Sequence, residues 1–327
     1  MAKLAKGSKA LAYLVALLTV VVWGETFVSS KILLSHGLRP ADIFAFRFAI
    51  AYAGMWVLSN RKFLSRNWKD ELYMLLLGIF GGSLYFLTEN SALEYSTASN
   101  VAIILCATPL VTSILMAAFY REERMRRSQF AGAFIALVGL ALIIFNGEVI
   151  LKLNPLGDNL AFGAVLCWGA YSMLMKRVAG RYDTTFVTRK VFGYGLLTIL
   201  PYFAFFGWPS VLGAPASGVT DGLGSGTSLA SGMTDGLGSG LGLASGVLAD
   251  PVVWGNLLYL GIVASLACYL AWNWSLKVLG TVKTTNILYL QPFSTMVIGS
   301  LLLHERITWM AILGAVILIA GVYKVVK

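Results

Sequence analysis

A chain of 327 residues that is 58% hydrophobic and 12% charged, with a mean hydropathy of +0.77, has roughly half the charge of an ordinary soluble domain. That deficit excludes a water-soluble globule and points to a surface facing lipid. The net charge of +10 does not argue for a nucleic-acid partner, because lysines and arginines cluster between apolar runs and form no basic face.

In chain order, "MAKLAKGSKALAYLVALLTVVVWG" starts like a secretory leader, but the apolar pattern runs on to Leu34 without a small-residue cleavage site. An uncleaved first span is expected there. Ten runs of about 20 residues follow one another, roughly 11–34, 41–59, 72–93, 97–119, 128–145, 159–178, 184–206, 252–276, 282–303 and 307–325. Each should be a helix, since backbone amides in lipid are satisfied within their own segment. Eighteen lysines and arginines fall in loops on one side and three on the other, so the charge rule places both termini in the cytoplasm of a multi-pass cell-membrane protein. Loop 207–251 is then external. It repeats "ASGVTDGLGSG" and "ASGMTDGLGSG" at a 14-residue period, and is expected to be a flexible Gly/Ser-rich tether; its three aspartates are too few for a calcium-binding repeat.

The halves 1–146 and 147–327 match. "WGETFVSSK" at 23 aligns with "WGAYSMLMK" at 168, "FAFRFAIAY" at 44 with "FVTRKVFGY" at 186, and "LGIFGGSLYFLTENSAL" at 77 with "LGIVASLACYLAWNWSL" at 260. Pro109 matches Pro292, and Gly132 and Gly139 match Gly314 and Gly321. Five spans per half force the second half to enter the membrane the other way up, which predicts an all-α fold of two inverted five-helix repeats. Duplication that merely stabilises a bundle is the plainer alternative.

The segments "WGETFVSSKILLSHGLRPADIFAFRFAIA", "NSALEYSTASNVAIILCATPL" and "LYLQPFSTMVIGSLLLHERITWMAILGAVILIAGV" resemble the EamA-type members of the drug/metabolite transporter superfamily. The resemblance covers nearly the whole chain outside loop 207–251. It implies ten helices with cytoplasmic termini, a central cavity, and secondary transport of small metabolites in a bacterial inner membrane. Glu25 departs from the family pattern, which more often has a small residue there.

Charged residues at mid-span cost about 2.5–3.5 kcal/mol and usually face a partner or water. Counting about 1.5 Å per residue puts Glu25 and Arg47 each about 9 Å, and Glu89 about 4 Å, below the outer edge. The expectation is a polar chamber that binds a polar or zwitterionic, amino-acid-like substrate through Trp23, Glu25, Thr26, Ser29, Arg47, Glu89, Asn90, Tyr289 and Gln291, with a carboxylate available to couple a proton. A Glu25–Arg47 pair that only fixes helix packing is the structural alternative. Pro109 and Pro292 are expected mid-span as hinges. Trp272 and Trp274 are expected in the interfacial belt, and Asn90 and Asn273 in interhelical hydrogen bonds.

No cofactor or metal is expected: the two histidines lie at outer span ends, and the three cysteines read as packing thiols. No phosphate-binding loop supports an ATP-driven pump, and no nucleophile–base pair supports an enzyme. A membrane-embedded sensor, or a non-transporting structural protein, remains the alternative to a transporter.

Overall fold

The computed structural model describes residues 2–59, 64–96, 101, 104–120, 127–145, 154–207, 250–291, 294 and 309–326, and among them every regular element is a helix. The first half holds α1 (Ala2–Ser35), α2 (Pro40–Leu58), α3 (Trp68–Tyr95), α4 (Thr108–Phe119) and α5 (Arg127–Phe145). The second holds α6 (Pro155–Ala179), α7 (Thr184–Phe206), α8 (Pro251–Leu279), α9 and α10 (Trp309–Val326). Here α9 is one α-turn, Thr281–Thr285, that tightens into a 3-10 segment, Asn286–Leu290. Among the described residues, four stretches are long and apolar enough to cross a membrane: Lys9–Ser35 of α1, then α2, α3 and α8. Residues 208–249, Pro292 and half of the predicted ninth span lie outside the described residues.

Helix starts follow local chemistry. Asn154 and Asp250 cap α6 and α8, accepting from Gly157 N at 3.2 Å and from Val252 N at 2.8 Å, and a proline follows each cap where its missing N–H costs nothing. At the other end of α8, Gly280 adopts φ 87°, the left-handed turn that lets α9 double back.

Helices α3 and α8 each contain a π-helical stretch, Ile79–Ser83 and Tyr259–Ala267, at matching places in the repeat. Widened turns free carbonyls from the regular ladder. One such carbonyl, on Gly81, accepts from the Tyr269 hydroxyl at 2.7 Å, and another, on Ala264, accepts from the Trp23 indole at 2.9 Å.

Contacts between α5 and α10 are unchanged when the halves are exchanged. A Cβ placed on Gly139 would lie 2.6 Å from the Gly314 carbonyl oxygen, and one on Gly321 would lie 2.7 Å from that of Gly132. Those four glycines are the two matched pairs, and glycine is what allows the backbones to touch.

Two expectations are corrected. Pro109 is not a mid-helix hinge: the chain turns at Cys106–Ala107, and Pro109 sits in the first turn of α4, where a proline breaks no hydrogen bond. Trp272 is not a belt anchor, because it is fully buried against Trp23, with ring centroids 5.1 Å apart. Asn273 does bond between helices, accepting from the Tyr171 hydroxyl at 2.6 Å and donating to Thr188 Oγ1 at 3.0 Å.

Candidate functional site

A cavity lies between the halves, lined by Trp23, Thr26 and Phe27 of α1, Arg47 of α2, Tyr85, Phe86 and Glu89 of α3, Leu105, and Thr108 of α4. Trp168 of α6, Tyr269 of α8, Leu288 of α9 and the neighbouring Gln291 complete it. The wall is mostly aromatic. Trp23 and Trp168, equivalent in the repeat, meet edge to face with centroids 5.3 Å apart, and Tyr269 packs 5.9 Å from Trp23. The freed carbonyls of the π-helical stretches hold Trp23 and Tyr269 in these positions, so the backbone irregularity shapes the chamber. Such local breaks in a span are tolerated where they border a cavity.

Arg47 is 2% exposed, and its environment orients it. Its Nε donates to Ser265 Oγ at 3.0 Å, and the guanidinium lies 4.2 Å from the centre of the Phe86 ring. The cation–π contact and one hydrogen bond fix the plane of the fork. Among the described residues, no hydrogen bond occupies either Nη. Glu89 faces the same cavity, takes a hydrogen bond from the Tyr85 hydroxyl at 2.7 Å, and acts electrostatically on Arg47 without forming an ion pair among the described contacts. Gln291 donates to the Trp23 carbonyl at 3.2 Å, which ties the ninth helix to the first. The arrangement presents a buried cation, a buried carboxylate and a broad aromatic surface to one small space. No group of three metal-ligating side chains occurs among the described residues.

Of the expected site residues, the structure brings Trp23, Thr26, Arg47, Glu89 and Gln291 to this cavity, whereas Glu25, Ser29, Asn90 and Tyr289 are not part of its wall. Helical phase explains the difference. Glu25 is two positions from Trp23, about 200° around α1, while Thr26 and Phe27 lie within about 60° of it. Glu25 is instead half-buried near Tyr259, with one carboxylate oxygen sealed and lacking a hydrogen-bond partner among the described residues. No Glu25–Arg47 pair forms among the described contacts. Tyr289, likewise two positions from Gln291, packs against Ala133, Ala136 and Leu318. Asn90 donates a long bond, 3.4 Å, to the Pro40 carbonyl.

Sequence reasoning passed over Tyr85, Phe86, Trp168 and Tyr269. A signal was present: Trp168 is the repeat equivalent of Trp23, and Tyr269 that of Phe86.

A helical membrane bundle with an aromatic chamber between its halves that holds one arginine and one glutamate has the architecture of a small-molecule carrier. The model of the EamA-like transporter family matches residues 10–145 and 239–327, more than half of the chain, and the chain belongs to that family. It is therefore a multi-pass membrane transporter, not an enzyme. The chain is 25% identical over 95% of its length to an uncharacterized transporter of Archaeoglobus fulgidus, of which 96% is covered. It is 26% identical over 94% of its length to a probable amino-acid metabolite efflux pump of Escherichia coli, 92% covered. It is also 25% identical over 93% of its length to a probable terminal-alkyne amino-acid exporter of Streptantibioticus cattleyicolor, 90% covered. One crystal structure superposes with a TM-score of 0.67 at 18% identity, covering 97% of each chain, a likeness of fold.

Proposed function

We infer that the protein is a secondary transporter that exports an amino-acid-like metabolite across a bacterial inner membrane by alternating access. Arg47 carries the reading: a buried guanidinium, held by Ser265 and Phe86, whose two Nη groups are left for a ligand in a chamber that also holds Glu89. Its fork suits a carboxylate in a bidentate pair. Glu89 suits the substrate's ammonium group, and the aromatic wall its side chain. The names of two relatives, an amino-acid metabolite efflux pump and an amino-acid exporter, support the same class of substrate.

The exchange-invariant α5–α10 contacts support two inverted five-helix repeats, which can form inward- and outward-open shapes around one site. With both termini in the cytoplasm, a cysteine replacing Lys62 and one replacing Arg306 are expected to react with an impermeant reagent from opposite sides. Reaction from the same side overturns the inverted arrangement.

Thermal unfolding of the purified protein with amino acids, their decarboxylated amines and their deaminated acids tests the substrate class. Intact amino acids are expected to raise the midpoint by mass action, and loss of either charged group to remove most of the shift. Equal stabilisation by amines lacking the carboxylate overturns the role of Arg47. Glu89 is the carboxylate placed to exchange a proton with the chamber. Glu89→Gln is expected to flatten the pH dependence of transport in vesicles, and Glu25→Gln to leave ligand affinity within about twofold, since its side chain faces away from the chamber. The reverse pattern assigns the coupling to Glu25.

A further inference from the structure

The two ends of the bundle are closed by seams that the repeat makes equivalent in backbone but not in chemistry. At the end that the charge rule places in the cytoplasm, α3 packs along α7 so closely that a Cβ on Gly78 would lie 2.9 Å from the Gly195 nitrogen. Adjacent carboxylates at the start of α3 tie this seam. Glu71 forms an ion pair with Lys190, receives the Tyr194 hydroxyl, and accepts from the Ser65 amide at 2.7 Å. Asp70 pairs with Arg181 at 3.0 Å and accepts from the Tyr182 hydroxyl at 2.7 Å. Lys190 and Glu71 are only 12% and 11% exposed, so water screens their attraction weakly.

The equivalent seam at the opposite end joins α8 to α2, where Gly261 approaches Ile50 as Gly78 approaches Tyr194. The repeat alignment places Val253 and Trp254 where Asp70 and Glu71 stand, and Phe48 where Lys190 stands. No ionisable group replaces the latch. That end has other ties, His36 with Asp250 at 3.4 Å, Arg39 with the Phe206 and Gly207 carbonyls, and Arg47 Nε with Ser265 Oγ at 3.0 Å between α2 and α8, but α8 carries no charged side chain before Lys277 that could form an ion pair with α2 there.

We propose that the Asp70–Glu71 cluster is a latch that keeps the cytoplasmic end of the transporter shut, and that its absence from the equivalent seam sets the resting orientation with the outer mouth favoured. This rests on the alternating-access reading. In a carrier built from two matched halves, identical seams would give the two orientations equal free energy, so their difference comes from contacts present in one seam only. The layer between latch and chamber is closed in the same way: Tyr171, Asn273 and Thr188 are fully buried and hydrogen-bonded across α6, α8 and α7. Next to Tyr171 in the chain, the Ser172 hydroxyl is fully buried with no hydrogen-bond partner among the described residues.

Ser172→Cys is therefore a reporter, in a background with Cys106, Cys167 and Cys268 changed to alanine. An impermeant maleimide is applied to the cytoplasmic face of inside-out vesicles without substrate. Asp70→Asn with Glu71→Gln is expected to raise the labelling rate about tenfold, the response of a minor open state whose closed competitor has lost its latch. Lys190→Met is expected to act in the same direction. The charge swap Glu71→Lys with Lys190→Glu is expected to return the rate to within about twofold of the parent. Parent-level labelling in the neutral variants, or a swap that labels as fast as they do, overturns the latch. Those outcomes leave the transport reading standing, because it is tested separately by ligand stabilisation.

Discussion

Replacing Arg47 with glutamine is expected to lower transport of the amino-acid substrate in vesicles by about thirtyfold or more, with a parallel loss of ligand-induced thermal stabilisation. Removing one member of a buried, hydrogen-bonded charge pair costs about 2–5 kcal/mol, and each 1.4 kcal/mol is about tenfold in affinity. Lysine separates charge from geometry. Arg47→Lys keeps the positive charge but loses the Nε bond to Ser265 and the planar stack on Phe86. Its expected loss is about tenfold, carried by affinity. Apo-protein melting provides the control, since Arg47 also bridges α2 to α8. Unaltered transport in Arg47→Gln vesicles removes Arg47 from substrate recognition.

Leucine at Gly139 is expected to be among the most damaging single changes in the chain, and leucine at Gly321 to match it. At both positions the obstacle is backbone of the facing helix, which cannot rotate aside as a side chain can. Overpacking a tight contact costs about 1–3 kcal/mol and occasionally more; with two backbones in contact, the upper end or beyond applies. The thermal midpoint in detergent should fall steeply for both variants, and to a similar degree, because the positions are equivalent in the repeat. Alanine already enters the occupied space and should show a smaller fall of the same sign. Wild-type midpoints for both leucine variants would mean that α5 and α10 are free to separate.

Much of the architecture follows from composition and period alone. Missing charge and ten apolar runs imply a lipid-facing bundle, because an unsatisfied amide in hydrocarbon costs too much for any structure but a helix or closed barrel. Matched glycines in "AGAFIALVGL" and "LGAVILIAGV" mark equivalent positions in the two halves, and the structure brings them together between α5 and α10. Asn-Pro and Asp-Pro at 154–155 and 250–251 mark the starts of α6 and α8. Such features depend on near neighbours or on a repeat, and a linear sequence displays both.

Facing was decided only in three dimensions. A glutamate inside a span shows that a charge needs relief, but not where the relief lies, and one helical phase separates Glu25, turned toward Tyr259, from Trp23 and Thr26 in the chamber. The π-helical turns that aim Trp23 and Tyr269 have no reliable sequence mark, since the carbonyls they free are satisfied by side chains more than 180 residues away in the chain. The pairing of Glu71 with Lys190 likewise joins residues 119 apart. Sequence by itself determined the membrane class and displayed the apolar runs and the likeness of the two halves, because hydropathy and periodicity are local. Tertiary packing decided which charges share a chamber and which lock a seam, because Coulomb and hydrogen-bond partners are chosen by distance in space.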